Sequence, residues 1–128
     1  MPTPMSLLRT IEIVVIEEPT TLFRVTRERN VDAFLDAFRS NYEQGKPPRG
    51  PENRAAAVHM ALSMFDSVDV AAQLAGRVPK LGGHIATLHL QPDLGICIAK
   101  TGGAAHWSVW GRPLQLESCV TDVVEATT

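Results

Sequence analysis

The sequence predicts a single domain of the mixed α+β class over residues 1–128, with its core between about residues 10 and 125. β-branched runs occupy both ends of the chain and helical patterns occupy the middle, so the helix–strand alternation of a doubly wound parallel sheet is missing. Of the 128 residues, 45% are hydrophobic and 20% are charged, which is typical of a globular domain with one core. We therefore expect mainly antiparallel strands covered by two to three helices.

The chain begins with two predicted strands and a helix. Thr10–Ile16 and Leu22–Thr26 are rich in β-branched residues, and residues 17–21, which include a proline, form a turn between them. Asn30 is a suitable cap for a following helix. Apolar side chains then recur at helical spacing over Val31–Tyr42, so this helix buries an aromatic face.

The middle of the chain predicts a loop and further helical structure. Residues 45–51 contain three prolines and two glycines and form an internal loop. Residues 53–60 are rich in alanine and compatible with a helix, whereas Ala61–Phe65 is either the end of that helix or a short buried strand. Ser67 caps a helix whose apolar stripe runs over Val70–Val78, and the next residue, a proline, ends it.

The last third predicts four strands. They are His84–Leu90, Leu94–Ala99, His106–Trp110 and Leu116–Val124, each rich in strand-forming residues and separated by short connections that contain glycine or proline. We expect these strands to form a sheet that packs against the two long helices, because their apolar faces have no other surface large enough to cover them.

Charge and cysteine usage exclude several classes of protein. Twelve Lys and Arg residues against fourteen Asp and Glu residues give a net charge of −2, which excludes a general nucleic-acid binder. Cys97 and Cys119 lie in apolar strands without metal-type spacing, so we expect reduced, inert thiols in a reducing compartment. No apolar run is long enough for a signal sequence or a membrane span, which predicts a cytoplasmic protein.

The familiar catalytic and metal motifs are missing. His84 and His89 are five residues apart on one strand and therefore face opposite sides, so no metal site is predicted. Ser63 and Ser108 stand outside the GxSxG pattern of hydrolases, and the glycine pairs at 82–83 and 102–103 fit neither phosphate-binding motif.

Two segments carry residues of chemical interest. Arg24 is embedded in an apolar strand. It is either an edge-strand arginine that lies in solvent or in a structural ion pair, or its planar guanidinium binds a ligand phosphate or ribose. In the segment 103–111, His106 and Ser108 share one strand face, and Trp107 and Trp110 lie on opposite faces. One indole therefore anchors the core, while the other covers a pocket, stacks on a ligand or seals a helix against the sheet.

In their order along the chain, these residues resemble the small bacterial ADP-ribosyltransferase-like domains, including the toxin type called RES. Leu22–Val25 looks like the first core strand with its arginine, and Ala61–Ser67 looks like the second strand with its serine. The helix Val70–Arg77 resembles the one behind that strand, and His84–Leu90 resembles the next core strand. The LFR start and the HWSVWG segment are also similar to uncharacterised actinobacterial proteins.

The resemblance implies an ADP-ribosyltransferase or an NAD glycohydrolase that acts as a toxin or defence component. In that family the arginine and the serine hold NAD, which assigns Arg24 and Ser63 to cofactor binding here. A glutamate near the start of a late strand orients the ribose and stabilises an oxocarbenium-like transition state. At that position this chain has His106, and the nearest acid is Glu117, so these two are the expected catalytic residues.

The alternative is a non-catalytic protein-interaction module of the same fold. Such a module would use the proline-rich loop and exposed aromatic side chains to bind a protein partner or an antitoxin.

Overall fold

A computed structural model describes residues 12–30, 32, 34–40, 43–44, 60–103 and 105–126. Within these residues it contains seven strands and two α-helices, which confirms the mixed α+β class. In chain order the elements are β1 (Val14–Val15), β2 (Thr20–Thr26), β3 (Leu62–Phe65), α1 (Val68–Arg77), β4 (His84–Leu90), β5 (Cys97–Lys100), β6 (His106–Trp110), α2 (Pro113–Ser118) and β7 (Val120–Glu125). Short 3₁₀ turns cover Phe34–Phe38, Pro79–Leu81 and Pro92–Leu94.

All seven strands join one antiparallel sheet in the order β1-β5-β6-β3-β2-β4-β7. The longest pairing joins β2 to β4, where every residue from Thr20 to Thr26 has a partner. By contrast, β2 and β3 are paired at a single position, Phe23 with Phe65. This short pairing lies in the middle of the sheet, and it positions the candidate site.

Two apolar clusters cover the two faces of the sheet. On the face that we call the major face, Leu22, Met64, Leu88 and Val109 are almost fully buried. The 3₁₀ turn Phe34–Phe38 contributes two buried phenylalanine rings to this cluster, and α2 packs beside that turn. The other face, the α1 face, carries a smaller cluster that includes Val25, Phe65 and Ile85 and is covered by helix α1.

Helix α1 follows the sequence prediction closely. Ser67 is the N-cap, and its side-chain oxygen accepts a hydrogen bond from the Val70 amide at 3.3 Å. Ala71 and Ala75, one turn apart, are buried against the sheet. The helix ends at Arg77, and Pro79 opens the following 3₁₀ turn because it cannot supply a helical amide.

Two predicted strands need correction. Leu116–Val124 is divided between α2 and β7, because Pro113 starts a helix whose Leu116 is completely buried. Leu94–Ala99 begins as a 3₁₀ turn and becomes strand at Cys97, since Gly95 adopts a left-handed φ of 70° between them.

The N-terminal predictions are confirmed only in part. Of the strand predicted over Thr10–Ile16, residues 12–16 are described, and among these only Val14–Val15 are strand; β2 starts at Thr20, inside the predicted turn. In place of the predicted helix Val31–Tyr42, the described residues form the short 3₁₀ turn Phe34–Phe38, in which the amide of Arg39 bonds back to Asp36.

Of the two alternatives for Ala61–Phe65, a helix end or a short strand, the structure shows a strand. The predicted loop 45–51 and the predicted helical residues 53–59 lie outside the described residues. Both cysteines are free, with Cys119 buried and Cys97 half-buried. Of the helices in the described part of the chain, none has the length and apolar character needed to span a membrane.

Candidate functional site

A cavity of about 730 Å³ opens where β2 and β3 diverge. Beyond the single pair of Phe23 and Phe65, the cavity is lined by Arg24 and Val25 of β2 and by Ser63 of β3. Its volume is within the range of about 300–1,000 Å³ that is typical of small-molecule sites. The structure therefore brings two of the predicted site residues, Arg24 and Ser63, into one cavity.

The guanidinium of Arg24 is held by two backbone carbonyls. Nε donates to the Ala37 carbonyl at 2.5 Å, and Nη1 donates to the Ser63 carbonyl at 2.6 Å. The amide of Asp66 bonds to Ala105 at 2.9 Å, so by antiparallel alternation the Ser63 carbonyl points away from β6 and towards β2. Arg24 thus supplies the donor that this carbonyl would otherwise receive from a paired strand.

One edge of the Arg24 guanidinium remains available. Among the described residues, no acceptor bonds to its Nη2. No buried side-chain nitrogen or oxygen in the described part of the chain lacks a hydrogen-bond partner, so Nη2 is in reach of the cavity solvent. The two carbonyls therefore fix the plane of the fork while leaving donors for a ligand.

Burial without a counter-ion raises the free energy of the Arg24 charge. Burial lowers the pKa of Arg24 to about 10, and no nearby carboxylate among the described residues counteracts this shift. The side chain still carries its charge at neutral pH. Arg24 is half-buried and has no counter-ion among the described residues, so its charge favours the approach of an anion into the cavity.

The rest of the cavity is also rich in positive charge. Arg27, Arg39 and Lys80 join Arg24 among the lining residues, whereas Asp36 is the one lining carboxylate in the described part of the chain. Asp36 is already paired with Arg39 at 3.4 Å, and both side chains are about half exposed. The described lining residues therefore carry a net positive charge, although the whole chain carries −2.

The cavity also has an apolar wall and polar groups near it. Phe65 and Leu74 belong to the wall on the α1 face, and the lining also includes Ser40 and Gln44. Ser40 is 1% exposed, and it exchanges hydrogen bonds with Glu43 in both directions, at 2.8 and 3.2 Å. This reciprocal pair has the geometry of a capping box and stabilises the cavity wall.

Ser63 contributes its backbone and its side chain to different places. The Ser63 carbonyl accepts the hydrogen bond from Arg24. The Ser63 side chain lies two residues from Phe65 on the same strand, so it projects from the same α1 face, where it is exposed. Ser63 is also paired with Ser108 of β6, and His106 is paired with Phe65. Ser63 and His106 therefore share a sheet face on neighbouring strands.

His106 does not line the cavity but packs against Phe65, which does. The two ring centroids are 5.3 Å apart at 74°. Nδ1 lies 2.9 Å from the Thr101 carbonyl, which can only accept a hydrogen bond, so Nδ1 carries the proton and Nε2 the lone pair. Burial lowers the pKa of His106, and the hydrogen bond to the Thr101 carbonyl opposes part of this shift. The imidazole is therefore neutral at pH 7.

Glu117 is separate from these residues. It lies on helix α2, not on the strand predicted for it, and it is not among the lining residues of the cavity. The structure thus brings Arg24 and Ser63 together, places His106 behind the cavity wall, and leaves Glu117 apart from both. The catalytic roles of His106 and Glu117 stay predictions.

The two tryptophans occupy opposite faces, as their spacing predicts. Trp107 packs on the major-face cluster, and its indole nitrogen donates to Asp66 at 2.9 Å. Lys100 lies 4.9 Å from the centre of the Trp107 ring and 3.4 Å from the Asp66 carboxylate. The hydrogen bond from Trp107 is the main cause that lowers the pKa of Asp66, which is therefore ionised at neutral pH.

Within the described part of the chain, no three His, Cys, Asp or Glu side chains converge on one point. A shallower concavity of about 520 Å³ is lined by Cys97, Trp110 and Arg112, among others.

No protein-family model, no curated protein and no solved structure matches this chain.

No sequence pattern indicates the other cations that line the cavity with Arg24. Arg27 and Arg39 lie on either side of the 3₁₀ turn in the connection from β2 to β3, and Lys80 follows α1. Nothing in their spacing relates them. Ser40 and Glu43 have the S-x-x-E spacing of a capping box, which is recognisable in the sequence and indicates a new turn that starts at Ser40, after the 3₁₀ turn beside the cavity.

Proposed function

We propose that the protein binds NAD in the Arg24 cavity and acts as an ADP-ribosyltransferase or NAD glycohydrolase with an ADP-ribosyltransferase-like architecture. The observation that carries the proposal is the half-buried guanidinium of Arg24, which two carbonyls orient and no carboxylate of the described residues neutralises. A pyrophosphate would supply the missing negative charge, and its oxygens suit the planar fork of an arginine.

The composition of the cavity supports a nucleotide over a simple anion. Four lining cations match a ligand with more than one negative charge. Phe65 and Leu74 offer an apolar surface for a base, and the hydroxyl and amide groups of Ser63 and Gln44 suit a ribose. A volume of about 730 Å³ leaves room for such an extended ligand.

The reaction breaks the bond between nicotinamide and the ribose carbon of NAD. Nicotinamide leaves with the bonding electrons, and the ribose carbon then takes a bond to a water or acceptor oxygen, which loses a proton. Positive charge develops on the ribose in this step, so a nearby carboxylate lowers the barrier. Asp36 is the described lining residue that offers one, and we assign this role to it ahead of Glu117.

Calorimetry with NAD and with ADP-ribose tests the binding proposal. We expect Arg24→Lys to weaken binding by about 10- to 100-fold, because the loss of a charge-assisted contact costs about 1.5–3 kcal/mol. Arg77→Gln is the matched control, since Arg77 is an exposed arginine at the end of α1 and does not line the cavity. Thermal melts establish that each variant is folded.

Chromatographic detection of nicotinamide released from NAD tests the reaction. Release by the wild type and its loss in Asp36→Asn, with NAD affinity retained, would support the proposed chemistry. NAD binding without release would limit the protein to a binding role. If the folded wild type bound neither ligand, the assignment would fail and the alternative, a non-catalytic interaction module, would take its place.

A further inference from the structure

Strand β1 forms one edge of the sheet and is apolar and exposed. It pairs with β5 on one side, and no other described strand lies on its outer side. Ile13, Val14 and Val15 are 49, 46 and 54% exposed, respectively. An open edge with three consecutive aliphatic side chains is uncommon, because such an edge invites pairing with another strand.

The register identifies which backbone groups of β1 face outwards. The amide of Ile16 donates to the carbonyl of Ile96 at 3.0 Å, and Val15 stands opposite Cys97. Because antiparallel partners alternate between bonded and non-bonded pairs, the N–H and C=O of Val15 point away from β5. Val15 therefore presents an unpaired donor and acceptor at the edge of the sheet.

The opposite edge of the sheet is protected in a way that β1 is not. Strand β7 carries the exposed acids Asp122 and Glu125, and its pairing with β4 is interrupted by a register shift between Thr87 and Leu88. Charged residues and bulges are the usual means by which proteins prevent edge-to-edge association. Strand β1 has only two residues, both aliphatic, so its outer edge carries no charge within the strand itself.

Acidic residues flank β1 on both sides. Glu12 precedes the aliphatic residues, and Glu17 and Glu18 follow them, all exposed. A second copy of this chain, docked antiparallel about Val15, would place Glu12 of each copy opposite Glu18 of the other. Like charges in opposite positions destabilise a strand pair, so the edge is unsuited to self-association.

We propose that β1 binds an extended segment of another protein, with aliphatic residues at alternate positions and Lys or Arg at both ends. The segment adds a strand to the sheet by bonding to the outward backbone groups of Val15. Its aliphatic side chains lie on one face of the sheet and cover Val15 there, and its basic ends meet Glu12 and Glu17. This surface is distinct from the Arg24 cavity and does not depend on nucleotide binding.

The test uses the full chain and a soluble synthetic peptide in which valine and threonine alternate between terminal lysines. Fluorescence anisotropy should show saturable binding that weakens as salt is raised, because the flanking charges are exposed. A peptide with glutamates in place of the lysines should bind at least about tenfold more weakly. Equal binding of the two peptides would overturn the proposed charge complementarity.

Substitutions at Val15 separate the backbone contact from the side chain. Val15→Pro removes the outward N–H but leaves the bond of Ile16 to β5, and proline is tolerated at such an edge position. It should abolish peptide binding, whereas Val15→Thr keeps the amide and should retain binding within about threefold. Slow amide exchange at Ile16 in both variants would establish that β1 is intact.

Two further results would overturn the proposal. In the isolated protein the Val15 amide should exchange with solvent much faster than the Ile16 amide. Protection of Val15 without peptide would mean that the edge is already occupied. Sedimentation should show a monomer, and a dimer that Val15→Pro dissociates would assign the edge to a second copy of the chain.

Discussion

Replacing Arg24 with methionine separates a structural role of this residue from a ligand-binding one. Methionine keeps much of the aliphatic length of arginine but removes both the charge and the two hydrogen bonds to the carbonyls of Ala37 and Ser63. Hydrogen bonds to charged groups contribute about 1.5–3 kcal/mol each, so a purely structural arginine would cost about 3–6 kcal/mol when lost.

The burial of the Arg24 charge reduces this cost. The fall in the pKa of Arg24 from its ordinary value to about 10 corresponds to a cost of about 3 kcal/mol for keeping the guanidinium charged inside the protein. Methionine recovers that amount. The expected loss in the free energy of unfolding is therefore between about 0 and 3 kcal/mol, which leaves the variant folded.

Urea denaturation with and without ADP-ribose measures both effects. At a ligand concentration of about 100 times Kd, the wild type should gain about 2.7 kcal/mol in the free energy of unfolding. The Arg24→Met variant should gain almost nothing, because its cavity has lost the oriented fork. A loss well above 3 kcal/mol without ligand, or the same gain with ligand in both proteins, would refute the reasoning and make Arg24 a structural residue.

The remaining predictions concern His106 and two glycines. Because burial keeps the pKa of His106 below its ordinary 6.5, the unfolded chain takes up a proton first as pH falls below 6.5, and the free energy of unfolding should decrease there. Titration of the imidazole by NMR checks the direction, and His106→Gln should remove this part of the pH dependence. Gly82→Ala should destabilise the fold strongly, since Gly82 has a φ of 124° and an added Cβ would meet the Thr26 carbonyl. Gly76 lies in helix α1 with open space around it, so Gly76→Ala should raise the free energy of unfolding by about 0.5–1 kcal/mol. Thermal melts in which Gly82→Ala is more stable than Gly76→Ala would contradict the assigned backbone geometry.

Local patterns in the sequence determined a large part of the fold. The strands His84–Leu90 and His106–Trp110 have the predicted bounds, and Ser67 caps α1 as its position before an apolar helical stripe indicates. These elements are short-range structures whose cap, spacing and stop signals lie within a few residues of each other. The strand preference of the residues after Pro113 was misleading, because burial of Leu116 in the core favours a helix there.

The chemical character of the candidate site was decided by tertiary structure. The sequence shows an arginine in an apolar strand, which fits a structural ion pair as well as a ligand contact. Only the fold shows that β2 and β3 separate after one residue pair, that the carbonyls of Ala37 and Ser63 hold the guanidinium, and that no described carboxylate reaches it. Sheet order places β3 beside β2 and β6, and such long-range neighbours depend on packing between segments far apart in the chain, which local residue patterns do not encode.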